Sequence, residues 1–298
     1  MGIFFSILSP AIYGVNNFID KLILEKYKIS PIAITVYSGF FGFLAGLFIL
    51  VFTGFYNADY KSIAIILASG FLGNIYLIPY FKALSQDETS RVVPLFQFVP
   101  ILVLVLSFFL LGEKLTTKQY VGCIAIICSS FFLSLQKSEM QIFKLRPAFW
   151  YMLLSSFLFS FSIVLYKFGV QEIPFWNTLP YEGFGMVLGA LSILLYRNNG
   201  KIFLSETKKF PKKIFVWMSI NEGVFVLSRY TAYFALSLVA ASIVNVLGGF
   251  QPLFVLIYGI VLSLWFPHII KEIITKQTIG IKLASVFGIM IGLSLIFL

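Results

Sequence analysis

The chain reads as an all-α integral membrane protein: ten transmembrane helices forming two inverted five-helix repeats. Three observations lead there. Charged residues make up 11% of the 298 and hydrophobic ones 59%, a balance foreign to soluble domains and to disordered chains. The charges are gathered into short clusters, and segments 1–19, 29–58, 62–81, 92–112, 119–136 and 147–166 hold no Asp, Glu, Lys or Arg. A hydrocarbon core of roughly 30 Å is crossed by about 20 helical residues, so most of these stretches suffice. Motifs of the first half also recur, in order, in the second.

Taken along the chain, spans are expected at 3–19, 32–55, 63–81, 92–111, 119–135, 148–166, 175–196, 214–236, 243–265 and 277–297. The first lacks a basic leader and a small-residue cleavage site and carries Asn16 and Asn17 near its end, so it is expected to be kept as a span. Residues 230–270 are free of charge for too long to be one crossing, and Ser237-Leu238-Val239-Ala240-Ala241-Ser242 is the expected hairpin within them. Trp150, Trp176, Trp217 and Trp265 all fall at span ends, where indole rings favour the headgroup layer. The halves divide as a first repeat over 1–136, a linker over 137–147 and a second repeat over 148–298.

Overlaying the halves sets Ala83-Leu84-Ser85 on Ala235-Leu236-Ser237, Ser90 on Ser242 and Pro100 on Pro252. After an insertion, Thr117-Lys118-Gln119 and Gly122 match Thr275-Lys276-Gln277 and Gly280, and Lys21 has Lys167 as its counterpart. Five spans per half is an odd number, so the second copy crosses the membrane in the opposite sense. Small residues recur too: Gly42 and Gly46 correspond to Gly185 and Gly189, and Ser130 and Ser134 to Gly288 and Gly292, spacings that let helix backbones approach closely.

The net charge of +10 lies in loops, where it sets orientation and meets anionic lipid headgroups, so no nucleic-acid partner is expected. Lys and Arg concentrate after odd-numbered spans, above all between Arg197 and Lys213. By the positive-inside rule those loops are cytoplasmic and both termini are outside. Cys123 and Cys128 are five apart, which points them to different helix faces and offers no metal or redox motif.

The segment Tyr80-Phe81-Lys82-Ala83-Leu84-Ser85, then Ser90-Arg91-Val92-Val93-Pro94, Pro100, Gly112-Glu113-Lys114-Leu115, Gln119 and Gly122 resembles the third to fifth spans of the drug/metabolite transporter superfamily, EamA type. Ala235-Leu236-Ser237, Ser242 and Gln251-Pro252-Leu253-Phe254 extend the resemblance to the second half. It implies a carrier with a central cavity lined mainly by the first, third and fourth spans of each half. It also implies cytoplasmic termini, opposite to the charge count. The Gly-Glu pair has Leu264-Trp265 as its counterpart, so the resemblance implies no symmetric role there.

Among residues that carry chemistry, Glu222 and Arg229 lie seven apart in the eighth span. At 100° per residue that sets them within about 20° on one face, about 10.5 Å apart along the axis, together with Tyr230 and Tyr233. A mid-span charge costs at least about 2.5–3.5 kcal/mol and so faces a bundle interior or a watered cavity. Two readings are open: Arg229 holds an anionic group of a substrate while Glu222 takes an amine or a coupling proton, or both belong to an interhelical ion-pair network. Glu182 near the start of the seventh span reads as interfacial or functional, and Lys282 as snorkelling. Asn16, Asn17, Asn74, Gln97, Asn221 and Asn245 are amides in apolar spans, each needing a partner from a helix or a ligand. Pro94, Pro100 and Pro252 free backbone carbonyls and bend their helices. Gly112 reads as a helix stop with Glu113 in a polar loop, and His268 as a loop residue.

These features point to a secondary active transporter working by alternating access. It would move a small polar or amphipathic metabolite, such as an amino acid or related compound, across the cytoplasmic (inner cell) membrane, by proton coupling or exchange. No catalytic residue, metal site or cofactor is expected. The partners are a small-molecule substrate, protons and membrane lipids. A carrier of sugar phosphates or nucleotide-linked sugars is an alternative within transport. From another class comes a membrane-embedded lipid-handling enzyme, which would need Glu182 beside Glu222.

Overall fold

The computed structural model describes residues 1–21, 23, 27, 29–86, 92–134, 147–265 and 276–297. Among them all regular structure is helical, the arrangement that satisfies backbone N–H and C=O groups within a segment surrounded by lipid. The first half contains α1 (Gly2–Lys21), α2 (Pro31–Thr53), α3 (Tyr60–Ile75) and α4 (Leu77–Gln86). A 3₁₀ turn, Val93–Gln97, then leads into α5 (Phe98–Leu106), a π turn over Ser107–Leu111, and α6 (Thr117–Ser134). The second half contains α7 (Pro147–Glu172), α8 (Phe175–Leu195), a short α9 (Asn199–Thr207) and α10 (Lys212–Leu238). It closes with α11 (Ala241–Gly248), α12 (Gln251–Trp265) and α13 (Lys276–Phe297).

Six segments among the described residues are long and apolar enough to cross a bilayer: Gly2–Asp20, Pro31–Thr53, Tyr60–Gln86, Pro147–Glu172, Phe175–Leu195 and Ala241–Gly259. Leu95–Leu111 and Phe287–Ile296 are shorter apolar helices. The fourth expected span is thus interrupted, passing from 3₁₀ to α to π geometry around Pro94 and Pro100. The eighth is a continuous helix of 27 residues that carries Asn221, Glu222 and Arg229 within it. All but the last residue of the expected 137–147 linker, Ser90, Arg91, and the loop with Pro267 and His268 lie outside the described residues, as do the side chains of Pro94, Pro252 and Lys282.

Local signals explain the boundaries. Ser30 caps α2 by accepting from the Ala33 N–H at 3.2 Å, with Pro31 in the first turn. Asp59 caps α3 through the Lys61 N–H at 3.1 Å. Gly112 ends the π turn in the left-handed region (φ 66°), as a glycine stop does. The expected hairpin at 237–242 is the break between α10 and α11.

α1 packs on α10, α11 and α12, while α7 packs on α3, α4 and α5. α2 lies along α8, and α6 along α13. The glycine stripes sit where helices come closest: a Cβ on Gly42 would strike the Met186 sulfur, one on Gly70 the Glu182 carbonyl, and one on Gly185 the Leu67 carbonyl. Large apolar side chains such as Phe48, Val51, Phe52 and Leu195 point outward, as lipid-facing residues do. Trp150 and Trp176 are exposed near the starts of α7 and α8. Cys123 is buried and Cys128 exposed, on different faces of α6 as their spacing requires.

Candidate functional site

α1 and α10 cross inside the bundle, and their facing residues are polar. Near one end of the crossing, Ser9 Oγ donates to the Ser228 carbonyl and Ser228 Oγ to the Ser9 carbonyl, each at 2.9 Å. Two turns further along α1, Asn16 Nδ2 donates to Asn221 Oδ1 at 2.9 Å, and Asn221 Nδ2 donates to Asp20 Oδ1 at 2.8 Å. Asn16 and Asp20 are four apart on one helix, hence on one face. From α2, Ser38 Oγ donates to Glu222 Oε1 at 2.6 Å. Asn16, Asp20, Asn221 and Glu222 are each less than one-tenth exposed.

These groups surround a pocket whose walls also include Tyr13, Tyr80, Phe81, Leu77 and Phe225. The space open to a water-sized sphere is about 10 Å³, close to the room one water needs. Glu222 Oε2 and Asn16 Oδ1 are buried there without a hydrogen-bond partner among the described residues. An unpartnered buried acceptor costs roughly 1–3 kcal/mol, and more when it is charged. The pocket is therefore lined by two carboxyl side chains, two amides and a serine around a very small space with aromatic sides.

Two turns further along α10, Arg229 makes an ion pair with Glu182 of α8. Its Nε donates to the Tyr233 hydroxyl at 3.0 Å, and that hydroxyl donates to Glu182 Oε1 at 3.3 Å. The guanidinium lies over the rings of Phe225 and Tyr233 and against the Met186 sulfur. Tyr233 in turn stacks on Tyr166, with ring centres 3.6 Å apart. Glu182 is fully buried, not interfacial, because Gly70 lets α3 close over its backbone.

The ten residues singled out from sequence thus separate. Glu222, Asn221 and Asn16 meet at the pocket, and Arg229 and Tyr233 meet at Glu182. Asn74 Nδ2 donates to the Thr35 carbonyl at 3.0 Å, tying α3 to α2. Asn245 Nδ2 donates to the Ala241 carbonyl of its own helix at 3.0 Å. Gln97 is buried at the end of the 3₁₀ turn, the Tyr230 hydroxyl is buried, and Asn17 is half-buried outside the pocket lining. Asp20, Ser38, Tyr13 and Tyr80 were missed. Asp20 read as the charge that ends the first apolar stretch; its spacing of four from Asn16 was the available signal. Glu182 joins Arg229, not Glu222, so the Glu182–Glu222 pair that a lipid-handling enzyme would need is not formed. Among the described residues no group of three or more His, Cys, Asp or Glu could hold a metal ion.

At the α10–α11 hairpin two charges match the helix ends. Lys167 Nζ donates to the carbonyls of Leu236 (2.7 Å) and Val239 (2.9 Å) at the end of α10. Glu113 accepts from the N–H groups of Ala241 (2.7 Å) and Ser242 (3.1 Å) and from the Ser242 hydroxyl at the start of α11. A cation at a C-terminus and an anion at an N-terminus both oppose the partial charges there. Glu113, expected only in a polar loop, ties its loop to the other half of the chain.

The chain is thus a multi-pass helical membrane protein whose helix crossings bury ionisable side chains. Residues 1–135 match the model of the EamA-like transporter family, the family that the motifs of this half resemble. An uncharacterised protein of Methanocaldococcus jannaschii is 29% identical over 134 residues, which are 45% of this chain and 96% of that protein. A solved structure titled only "Crystal structure of protein" is similar over 98% of both chains, with a TM-score of 0.69 and 15% identity. That likeness concerns the fold.

Proposed function

We propose that the protein is a secondary carrier that moves a small polar or amphipathic metabolite, such as an amino acid or related compound, across the cell membrane. It works by alternating access, coupled to protons or to exchange. The observation that carries this reading is the composition of the pocket by half. Asn16, Asp20 and Ser38 come from one half and Asn221 and Glu222 from the other, so any motion of the halves opens or closes it. A polar site shared between the two halves is an arrangement that many alternating-access carriers use.

The inverted duplication is supported by the hydrogen bonds themselves. In the register that pairs Lys21 with Lys167, Ser9 falls on Ser155 and Asn16 on Ser162. In the register that pairs Ala83 with Ala235, Tyr76 falls on Ser228 and Ser69 on Asn221. Ser155 Oγ donates to the Tyr76 carbonyl at 3.0 Å, as Ser9 does to Ser228. Ser69 and Ser162 exchange hydrogen bonds at 2.8 Å, where Asn221 and Asn16 bond on the other side. The α1–α10 and α7–α3/α4 crossings are thus counterparts, one kept as a plain serine clasp and the other turned into a charged pocket. The relative whose length is nearly all matched by 134 residues of this chain is consistent with a half-length unit.

Within this reading Glu222, Asp20, Asn221 and Asn16 contact the substrate or the coupling proton. Arg229, neutralised by Glu182, braces α10 beside the pocket with Tyr233, instead of offering its charge to an anion. Tyr230, Gln97, Asn17, Asn74 and Asn245 form an outer polar tier. Uptake of labelled metabolites into proteoliposomes tests this: Glu222→Gln is expected to lower uptake by at least about tenfold while the protein stays folded. Undiminished uptake in both Glu222→Gln and Asp20→Asn would remove the pocket from the transport path.

A further inference from the structure

We infer that Glu113 and Lys167 form a latch: they hold the α10–α11 hairpin against α5 and α7, close the bundle at that end, and must let go for the pocket to open there. The inference rests on the reading of the protein as an alternating-access carrier, and it goes further by naming the contact that closes one side.

The packing shows what the latch joins. α1 with α10, α11 and α12 forms one packed group, and α7 with α3, α4 and α5 another. The pocket lies on the seam between them, with Asn16, Asp20, Asn221 and Glu222 from the first group and Leu77, Tyr80 and Phe81 from the second. From Glu222, α10 runs on to Leu238 and the hairpin, roughly 24 Å of helix. A buried cluster fills the hairpin end of the seam from both sides, with Val99, Val103 and Tyr166 from one group and Tyr233, Leu236 and Val244 from the other. The hairpin residues Ala235, Leu236 and Ala241 belong to that cluster, so parting it means moving the hairpin.

Lys167 holds the Leu236 and Val239 carbonyls at the end of α10, and Glu113 holds the N–H groups and the hydroxyl at the start of α11. Lys167 lies on α7, and Glu113 follows α5. Both bonds therefore cross the seam, and separation of the groups at this end breaks both. They are suited to breaking and remaking, because helix-end carbonyls and N–H groups are satisfied by water when no side chain serves them, and Glu113 is already partly exposed. The Arg229–Glu182 pair, 9% and 0% exposed, has no such outlet, since parting it strands charge inside the bundle.

The sequence repeat does not copy the latch. Position 113 falls on Trp265 in the register that pairs Ala83 with Ala235, and on Lys271 in the register that pairs Thr117 with Thr275. Neither is an acid, so the carboxylate latch belongs to one end of the bundle alone.

The test starts from the full-length protein with Cys123→Ala and Cys128→Ser. Val99→Cys is then the reporter inside the cluster, and its rate of labelling by a charged, water-soluble maleimide is read by mass spectrometry. Glu113→Gln is expected to raise that rate by at least about tenfold, as loss of a strong cap permits, with an unchanged gel-filtration profile as the check on folding. A second variant keeps Glu113: Leu115→Cys with Ala240→Cys, two positions that pack on one cluster beside the latch, bridged by a bifunctional thiosulfonate. Bridging is expected to stop proteoliposome uptake of a mixture of radiolabelled amino acids, and a reductant to restore it. A static cap predicts no loss, since fixing a contact that never opens changes nothing. Unchanged labelling of Val99→Cys in folded Glu113→Gln overturns the inference, and so does undiminished uptake by fully bridged protein. If labelling rises in Glu113→Gln while the wild type carries none of the amino acids, the carrier reading falls and the latch stands. If uptake depends on Glu222 yet survives bridging, the latch falls and the carrier stands.

Discussion

Replacing Arg229 by Met, alone and together with Glu182→Leu, separates a structural ion pair from a charge held ready for a ligand. In the native fold the Glu182 side chain is fully buried and that of Arg229 is 9% exposed, so screening by solvent is slight. Arg229→Met leaves the Glu182 carboxylate in the bundle with only the Tyr233 hydroxyl donating to it, at 3.3 Å. Breaking a buried pair by removing one partner costs about 3–5 kcal/mol, whereas replacing both partners by apolar residues of similar volume is often neutral. Loss of the guanidinium over Phe225 and Tyr233 adds up to about 2 kcal/mol at a desolvated site, and this part the double variant does not recover. The expected order of thermal stability in detergent is therefore wild type, then the double variant about 1–2 kcal/mol below, then Arg229→Met lowest. Glu182→Leu alone, which strands the arginine, falls near Arg229→Met. Melting curves of the four proteins, followed by tryptophan fluorescence, give the order directly. A double variant whose loss equals the sum of the two single losses would refute the reasoning, because it would mean that the two side chains do not interact.

Other outcomes follow from the same geometry. Glu113→Ala removes three hydrogen bonds from the first turn of α11 and is expected to cost about 1–2 kcal/mol, as loss of a strong N-cap does. Hydrogen exchange should rise at Ala241 and Ser242 first, and an unchanged exchange pattern there would count against the clamp. Lys167→Met strips the two carbonyls that end α10 of their donor, and faster exchange confined to the same hairpin is the expected result. Gly70→Val drives a side chain into the Glu182 backbone; overpacking of this kind costs about 1–3 kcal/mol. It should lower the melting temperature more than Gly223→Val, where a Cβ meets nothing within 4 Å.

The membrane class was legible because it depends on composition and on the lengths of charge-free runs, properties that each stretch carries without reference to its neighbours. The hairpin at 237–242, the glycine stop at 112 and the opposite faces of Cys123 and Cys128 were legible for the same reason, being local consequences of helix geometry. Partnership was not. From α10 alone, Glu222 and Arg229 share a face and invite a joint role, yet Ser38 engages the first and Glu182 the second. Asp20 looked like the end of a span because charge marks the limit of an apolar run; only the crossing of α1 over α10 turns it inward to Asn221. Asn74, as apolar in its surroundings as Asn16, faces a backbone carbonyl instead of a pocket. Sequence determines which residues one helix presents together, since the period of 3.6 is a property of the helix itself. Which of them meet another helix, a lipid or a ligand is decided by how the helices pack, and here glycines and serines at the contacts take part in setting it.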